Sequence, residues 1–199
     1  MDNRTFDDLK HAYNTAGEGE KEYVIMIFEL CKSMSPPLKM IELGTGVGST
    51  LMPMAIACRN VGGKVYTFDK SSNVEATDKV TYLGIDGYVE FKIMDDMSDE
   101  ALHFLQQHEQ TFNIILIDTS HNYHDTVKEI ERYSQFLVDG GYMIFHDTSP
   151  LVNLPHGEYG IRNAIVEFLQ KNSSFIWALD IHNGIGRNAG LGVIRKVEK

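Results

Sequence analysis

The segment Leu38-Lys-Met-Ile-Glu-Leu-Gly-Thr-Gly-Val-Gly-Ser-Thr50 decides the fold. Leu38–Leu43 is short and almost wholly apolar, as a strand buried on both faces should be. Gly44, Gly46 and Gly48 let the backbone turn sharply and approach a ligand closely. From Ser49 to Asn60 apolar residues fall on nearly every side, which predicts a helix packed deep against a sheet. Strand, glycine turn and helix in this order begin a parallel β-α-β unit.

The alternation continues outward in both directions. Upstream, Glu20–Met34 carries apolar residues at helical period and is stopped by Pro36-Pro37. Downstream the predicted strands are Lys64–Asp69, Tyr88–Met94, Phe112–Asp118 and Tyr142–His146. Helices are predicted over Val74–Leu83, Asp99–Gln107, Tyr123–Leu137 (closed by Asp139-Gly140-Gly141) and Ile161–Lys171. The chain closes with strands Phe175–Ile181 and Leu191–Val197 around the turn Asn183–Gly190, and no helix separates them. The fold class is α/β, a doubly wound, mostly parallel sheet whose last strand is antiparallel. A single domain is expected over 1–199, with 1–37 as a helical lid or cap and 38–199 as the core.

The 199 residues are 43% hydrophobic and 23% charged, enough for one large core without disulfide staples. The 18 Lys+Arg against 28 Asp+Glu leave a net charge of −10, which disfavours nucleic acid and anionic membrane as partners. Cys31 and Cys58 lie in apolar helical stretches and read as buried thiols of a reducing compartment. Met1–Lys10 encodes no secretory signal, and apolar runs such as Tyr23–Leu30 are short of a membrane span. A soluble, cytoplasmic protein is expected, with homo-oligomerisation open.

The glycine loop has acidic company. Asp69 ends the second strand, where a carboxylate can accept both hydroxyls of a ribose. Glu42, Asp69 and Asp95 all lie at the carboxyl edge of the sheet, where open α/β folds bind ligands; helix capping is the competing role for Asp95 and Asp96. Gly48-Ser-Thr50 lacks the lysine of a phosphate-binding loop, and Glu42 would repel a pyrophosphate. S-adenosylmethionine, with an ammonium, a sulfonium and no phosphate, suits such a site.

Two further segments carry chemistry. In Ile114-Ile-Leu-Ile-Asp-Thr-Ser-His-Asn-Tyr123, Asp118 sits at a strand end and His121 three residues on. In Tyr142-Met-Ile-Phe-His-Asp-Thr148, His146 and Asp147 end the adjacent strand. Neighbouring strands are about 4.8 Å apart, so Asp118 and Asp147 repel unless a cation bridges them. Oxygen donors suit Mg²⁺ or Mn²⁺, and ligation by His146 tilts the choice toward Mn²⁺ or Fe²⁺. Alternation along the strand leaves His146 equally able to face away.

Glu42-Leu-Gly-Thr-Gly-Val-Gly48, then Asp69, then Asp95 resemble the successive motifs of class I S-adenosylmethionine-dependent methyltransferases. That resemblance covers roughly Lys39 to Lys196 and implies a Rossmann-like seven-stranded sheet with an antiparallel last strand. It implies cofactor binding by Glu42, Gly44, Gly46, Gly48, Ser49, Asp69, Asp95 and Asp118. The later segments are similar to a metal-dependent O-methyltransferase branch that modifies sugar hydroxyls, its relatives including cephalosporin-hydroxylase-like proteins. There the positions of Asp118, His146 and Asp147 hold Mg²⁺, and that of His121 serves as base. Thr119-Ser120 departs from the Gly-Asp or Gly-Ala usual in that branch, and Thr148 stands where catechol-type enzymes have Asn.

The implied reaction is methyl transfer to a hydroxyl of a small molecule, a sugar or other polyhydroxylated natural product. An alcohol's pKa of roughly 16 falls by several units beside a divalent cation, so an imidazole near 6.5 can take the proton. His124 is the rival base but should face outward, and His11, His103, His108, His156 and His182 read as surface residues. The alternatives are an NAD-type dinucleotide-binding oxidoreductase, which also uses a glycine loop with an acid about 20 residues later, and a non-catalytic cofactor-binding domain. Asn14–Glu20 could fold over the cofactor as a lid, Ser149–Tyr159 should help line the acceptor pocket, and Trp177 reads as core.

Overall fold

The computed structural model describes residues 1–17, 20–107, 111–149, 160–181 and 190–197. The chain divides into two units, Met1–Phe104 and Leu105–Lys199. In the first, β1 (Leu38–Leu43) is buried except at Lys39, which is why it reads as an apolar run with no alternation. It pairs in parallel with β2 (Gly63–Asp69), from Leu38↔Gly63 to Leu43↔Phe68, and β2 pairs in parallel with β3 (Val89–Ile93).

Four helices complete this unit, α1 (Asn3–Thr15), α2 (Lys21–Lys32), α3 (Leu51–Val61) and α4 (Val74–Tyr82); α5 (Asp99–Gln107) runs across its end. Every residue of α3 from Leu51 to Cys58 is buried. Burying one such Leu or Ile side chain contributes about 1.5–3 kcal/mol, so packing rather than helix propensity holds α3 in place. α2 packs on α3, and α1 on both, burying Thr5, Leu9 and Ala12.

The second unit holds β4 (Phe112–Ile117), α6 (Tyr123–Tyr133), β5 (Leu137–His146), α7 (Ile161–Lys171), β6 (Phe175–Ile181) and β7 (Leu191–Lys196). β4 and β5 are parallel, and β7 is antiparallel to both β5 and β6. The seven strands follow the order β3-β2-β1-β4-β5-β7-β6, the mostly parallel Rossmann-like sheet with an antiparallel segment that the sequence predicts. Among the described residues no helix is long and apolar enough to cross a membrane.

Two local readings change. The helix expected over Tyr123–Leu137 ends at Tyr133, passes through a single 3-10 turn at Ser134–Phe136, and β5 begins at Leu137. Leu137 pairs with Phe112, pairing resumes at Tyr142 with Ile114, and the intervening residues bulge. Asp139-Gly140-Gly141 therefore lies inside a strand rather than ending a helix. Trp177 is half-buried on edge strand β6, its ring covered by the Arg162 guanidinium 5.4 Å from the centroid. Glu18 and Gly19 of the lid segment, nearly all of Ser149–Tyr159 and of the Asn183–Gly190 turn, and His108, His156 and His182 lie outside the described residues.

The bulge explains Gly141. A Cβ there would sit 2.9 Å from the carbonyl oxygens of Asn113 and Val138, both backbone atoms with no freedom to move aside. Gly141→Ala should lower unfolding free energy by about 1–3 kcal/mol in urea titrations. Gly87→Ala, where an added Cβ meets nothing within 4 Å, should change it by under about 0.5 kcal/mol.

Candidate functional site

The glycine loop leaves β1 with Gly44, Gly46 and Gly48 all left-handed, at φ 89°, 47° and 82°. Gly48 is confined as well as strained for other residues, since a Cβ there would lie 3.2 Å from that of Ala76 on α4. Asp69, at the end of β2, reaches back to this loop. Its Oδ2 accepts the backbone N–H of Thr45 and of Gly46, both at 3.2 Å, and its Oδ1 that of Ser71 at 3.1 Å. The loop crest at Gly46 and Val47 is exposed, and just behind it the buried Ser49 hydroxyl has no hydrogen-bond partner among the described residues. An exposed glycine crest, a half-buried carboxylate and an orphaned hydroxyl fit a polar ligand of nucleoside type.

Glu42 is wholly buried. Thr50 and Thr67 each donate a hydroxyl to it at 2.6 Å, one to each carboxylate oxygen. Asp95 is exposed, accepts the Met97 N–H at 3.0 Å and pairs with Lys70 at 3.1 Å. Its neighbour Asp96 is the buried member of the pair, and Ser98 rather than either aspartate caps α5, accepting from Ala101 N.

In the second unit, Asp118, His121, His146 and Asp147 come together. His121 Nε2 lies 2.8 Å from Asp118 Oδ1 and 3.4 Å from Asp147 Oδ2. His146 Nδ1 lies 2.9 Å from Asp147 Oδ1 and 3.7 Å from Asp118 Oδ1, so alternation has turned this imidazole toward the site. One donor atom each from Asp118, His121 and His146 fit within 4.8 Å of one another. His146 and Asp147 are almost fully buried. His121 and Asp147 are the non-glycine residues with left-handed backbone, at φ 59° and 57°, among those described. Such strain costs about 1–3 kcal/mol and is held only where surroundings over-determine it.

Electrostatics bind the cluster. Burial pushes the Asp118 carboxyl up, but the His146 and His121 imidazoles outweigh it and hold the carboxyl below its ordinary value. The hydrogen bond to Asp118 raises His121 above its ordinary 6.5, against the opposing effect of burial.

The sequence does not announce what holds the loop after β4. Thr119 donates to the buried Glu129 of α6 at 2.5 Å, and Ser120 to Asp125 at 2.8 Å. Asn122 caps α6 by accepting Asp125 N at 2.9 Å. Thr119-Ser120 is thus what straps the loop to α6. One signal was available: Glu129 falls on the stripe Thr126–Ile130–Tyr133, the buried face of α6. His124 is exposed, as its helical position predicts.

A family model described as "Methyltransferase domain" matches residues 41–148, more than half of the chain. No curated protein matches. Among solved structures, the O-methyltransferase TomG from Streptomyces achromogenes, involved in tomaymycin synthesis and bound to SAM, is 15% identical with a TM-score of 0.72, covering 100% of this chain and 91% of its own. Cofactor-bound Rv0187 from MTB is 14% identical at TM-score 0.71, covering 100% and 92%. An O-methyltransferase from Bacillus cereus in complex with SAH is 17% identical at 0.66, covering 98% and 92%. At these identities the likeness is one of fold. The family match over β1 to β5, on a seven-stranded sheet of this order, makes the chain a member of the methyltransferase-domain family, a class I S-adenosylmethionine-dependent methyltransferase.

Proposed function

We propose that this enzyme methylates a hydroxyl of a small molecule, a sugar or another polyhydroxylated natural product, with a divalent cation at Asp118, His146 and Asp147 and with His121 as base. The observation that carries this reading is the spacing of the four side chains. An ion with bonds of about 2.0–2.2 Å keeps neighbouring donors roughly 3 Å apart. Among the proposed donors, His146 Nδ1 lies 2.9 Å from Asp147 Oδ1 and 3.7 Å from Asp118 Oδ1, while His121 Nε2 stands beside both carboxylates, at 2.8 and 3.4 Å, where a base would be needed. Two carboxylates with an imidazole suit Mg²⁺ or Mn²⁺, and the His146 nitrogen favours Mn²⁺ of the two. The O-methyltransferases among the similar structures support oxygen as the acceptor atom. Family membership decides against the dinucleotide-dependent oxidoreductase.

The cofactor supplies a methyl group already activated by its sulfonium, and the cation lowers the pKa of the acceptor hydroxyl. The rest falls to side chains. Asp69 and the backbone of Gly44 to Gly48, with Ser49, orient the cofactor. With a cation held by Asp118 and Asp147, His121 would no longer be paired with Asp118, and its Nε2 would be the nitrogen placed to take the acceptor's proton. Glu42 holds the loop from behind.

Asp69→Ala should abolish S-adenosylhomocysteine binding in calorimetry. It should also lower the stability of the ligand-free protein by about 1–2 kcal/mol, because three backbone N–H groups lose their acceptor. Unchanged affinity in this variant sinks the cofactor assignment.

Mn²⁺ should raise the thermal midpoint of the wild type and not of Asp118→Asn or Asp147→Asn. The sign of the pH effect follows from His121. Its pairing with Asp118 stabilises the cation-free fold below pH 6.5 and is lost as pH rises through the raised folded-state value. Cation-free protein should therefore lose stability over that interval while the Mn²⁺-induced increment grows. Methyl transfer undiminished in EDTA would show the cluster to be structural.

His121→Ala should cut turnover by about 10²–10⁴ with S-adenosylhomocysteine affinity intact, and the exposed His124→Ala far less. Equal, small losses in the two variants would remove His121 from the chemistry.

A further inference from the structure

α4 presents Ala76 and Lys79, one helical turn apart, to the glycine loop. Ala76 is the floor under Gly48, where an added Cβ would lie 3.2 Å from the Ala76 Cβ and 3.3 Å from its Cα. Lys79 is the clasp. Its side chain is only 11% exposed, and its ammonium donates to Val47 O at 3.0 Å and to Thr15 O at 3.5 Å while pairing with Glu75 Oε1 at 2.8 Å. A lysine ammonium has three protons, and here there are three acceptors. One belongs to α4 itself, one to the loop and one to the last turn of α1.

Each contact answers a local need. The Val47–Gly48 peptide is fixed at both ends, its carbonyl by Lys79 and its N–H by Thr45 O at 2.9 Å. The Thr45 and Gly46 N–H groups are already taken by Asp69. Met52 N of α3 holds the Gly48 carbonyl at 3.1 Å, and Lys79 adds a side-chain hold on the loop from α4. At its other end, α1 has no basic residue in its last turn, where helix carbonyls lack partners and the dipole favours a cation. Lys79 provides that charge from a residue 64 positions away in sequence.

We infer that Lys79 is a positioning residue for the cofactor: its ammonium sets the glycine loop and ties it to the C-terminal end of α1, so that filling the loop also orders the α1 end. The inference rests on the glycine loop being the cofactor seat. Removal of the ammonium leaves the Val47–Gly48 peptide held only through its N–H and cuts the tie between the loop and the C-terminal end of α1, so a preorganised loop becomes one that the ligand must order on binding.

The test is calorimetry with S-adenosylhomocysteine on the full chain, with hydrogen exchange followed over Ala12–Gly17. In the wild type, ligand should slow exchange in that segment although it is the C-terminal end of α1 with the two residues after it, and not part of the glycine loop. Lys79→Met should bind about tenfold more weakly and lose the exchange response. Lys79→Gln, which keeps a donor without the charge and retains polarity should the methionine variant fold poorly, should do the same. Lys79→Arg should restore most of the affinity. If both neutral variants bind within twofold of wild type, or keep the ligand response at Ala12–Gly17, the positioning role is overturned, whatever their melting temperatures. Wild-type protein that binds no S-adenosylhomocysteine overturns the cofactor reading and this inference with it; wild-type binding with unaltered variants overturns the role of Lys79 alone.

Discussion

Glu42 brings a carboxylate into the apolar interior at the end of β1, and Thr50 and Thr67 each donate a hydroxyl to it at 2.6 Å. A buried carboxylate is tolerated only with such donors. The requirement propagates: Thr67 has one proton, given to Glu42, so the 2.7 Å contact between Thr45 and Thr67 must have Thr45 as donor. One buried acid thereby links β1, the residue before α3, β2 and the glycine loop. The loop's shape depends on this network as much as on its glycines.

Glu42 is thus an anchor of the loop, and Asp69 holds the same loop by accepting its backbone N–H groups. Under the proposed function Asp69 would have two tasks, since the oxygen that accepts Thr45 and Gly46 N–H groups belongs to the carboxylate proposed to meet a ribose.

The second unit solves a different problem. Two carboxylates facing two imidazoles at 2.8–3.7 Å need complementary charge and a backbone bent out of its preferred range. The left-handed conformations at His121 and Asp147 supply the bend, and Glu129 and Asp125 of α6 keep one of these loops from relaxing. In the ligand-free protein the imidazoles compensate the carboxylates, which is why Asp118 stays ionised despite burial.

Composition and periodicity alone determined the alternation of strands and helices, the antiparallel close of the sheet, the glycine loop followed by Asp69, and the placing of Asp118 and His146-Asp147 at the ends of two strands. These are legible because they depend on neighbours in the chain: apolar runs, glycine at a turn, an acid at a strand end. The start of β5 was not, because the bulge across from Phe112 and Ile114 arises from pairing with another strand, and Asp139-Gly140-Gly141 reads locally as a helix stop. The direction of His146 was left open by alternation and settled by the register of β5. The burial of Glu42 and the strap from Glu129 to Thr119 were decided only by packing, since a carboxylate's letter in the sequence is the same whether it meets solvent, a ligand or a threonine. Local rules specify which elements form; which side chains meet depends on distances between residues far apart in the chain, and those exist only once it has folded.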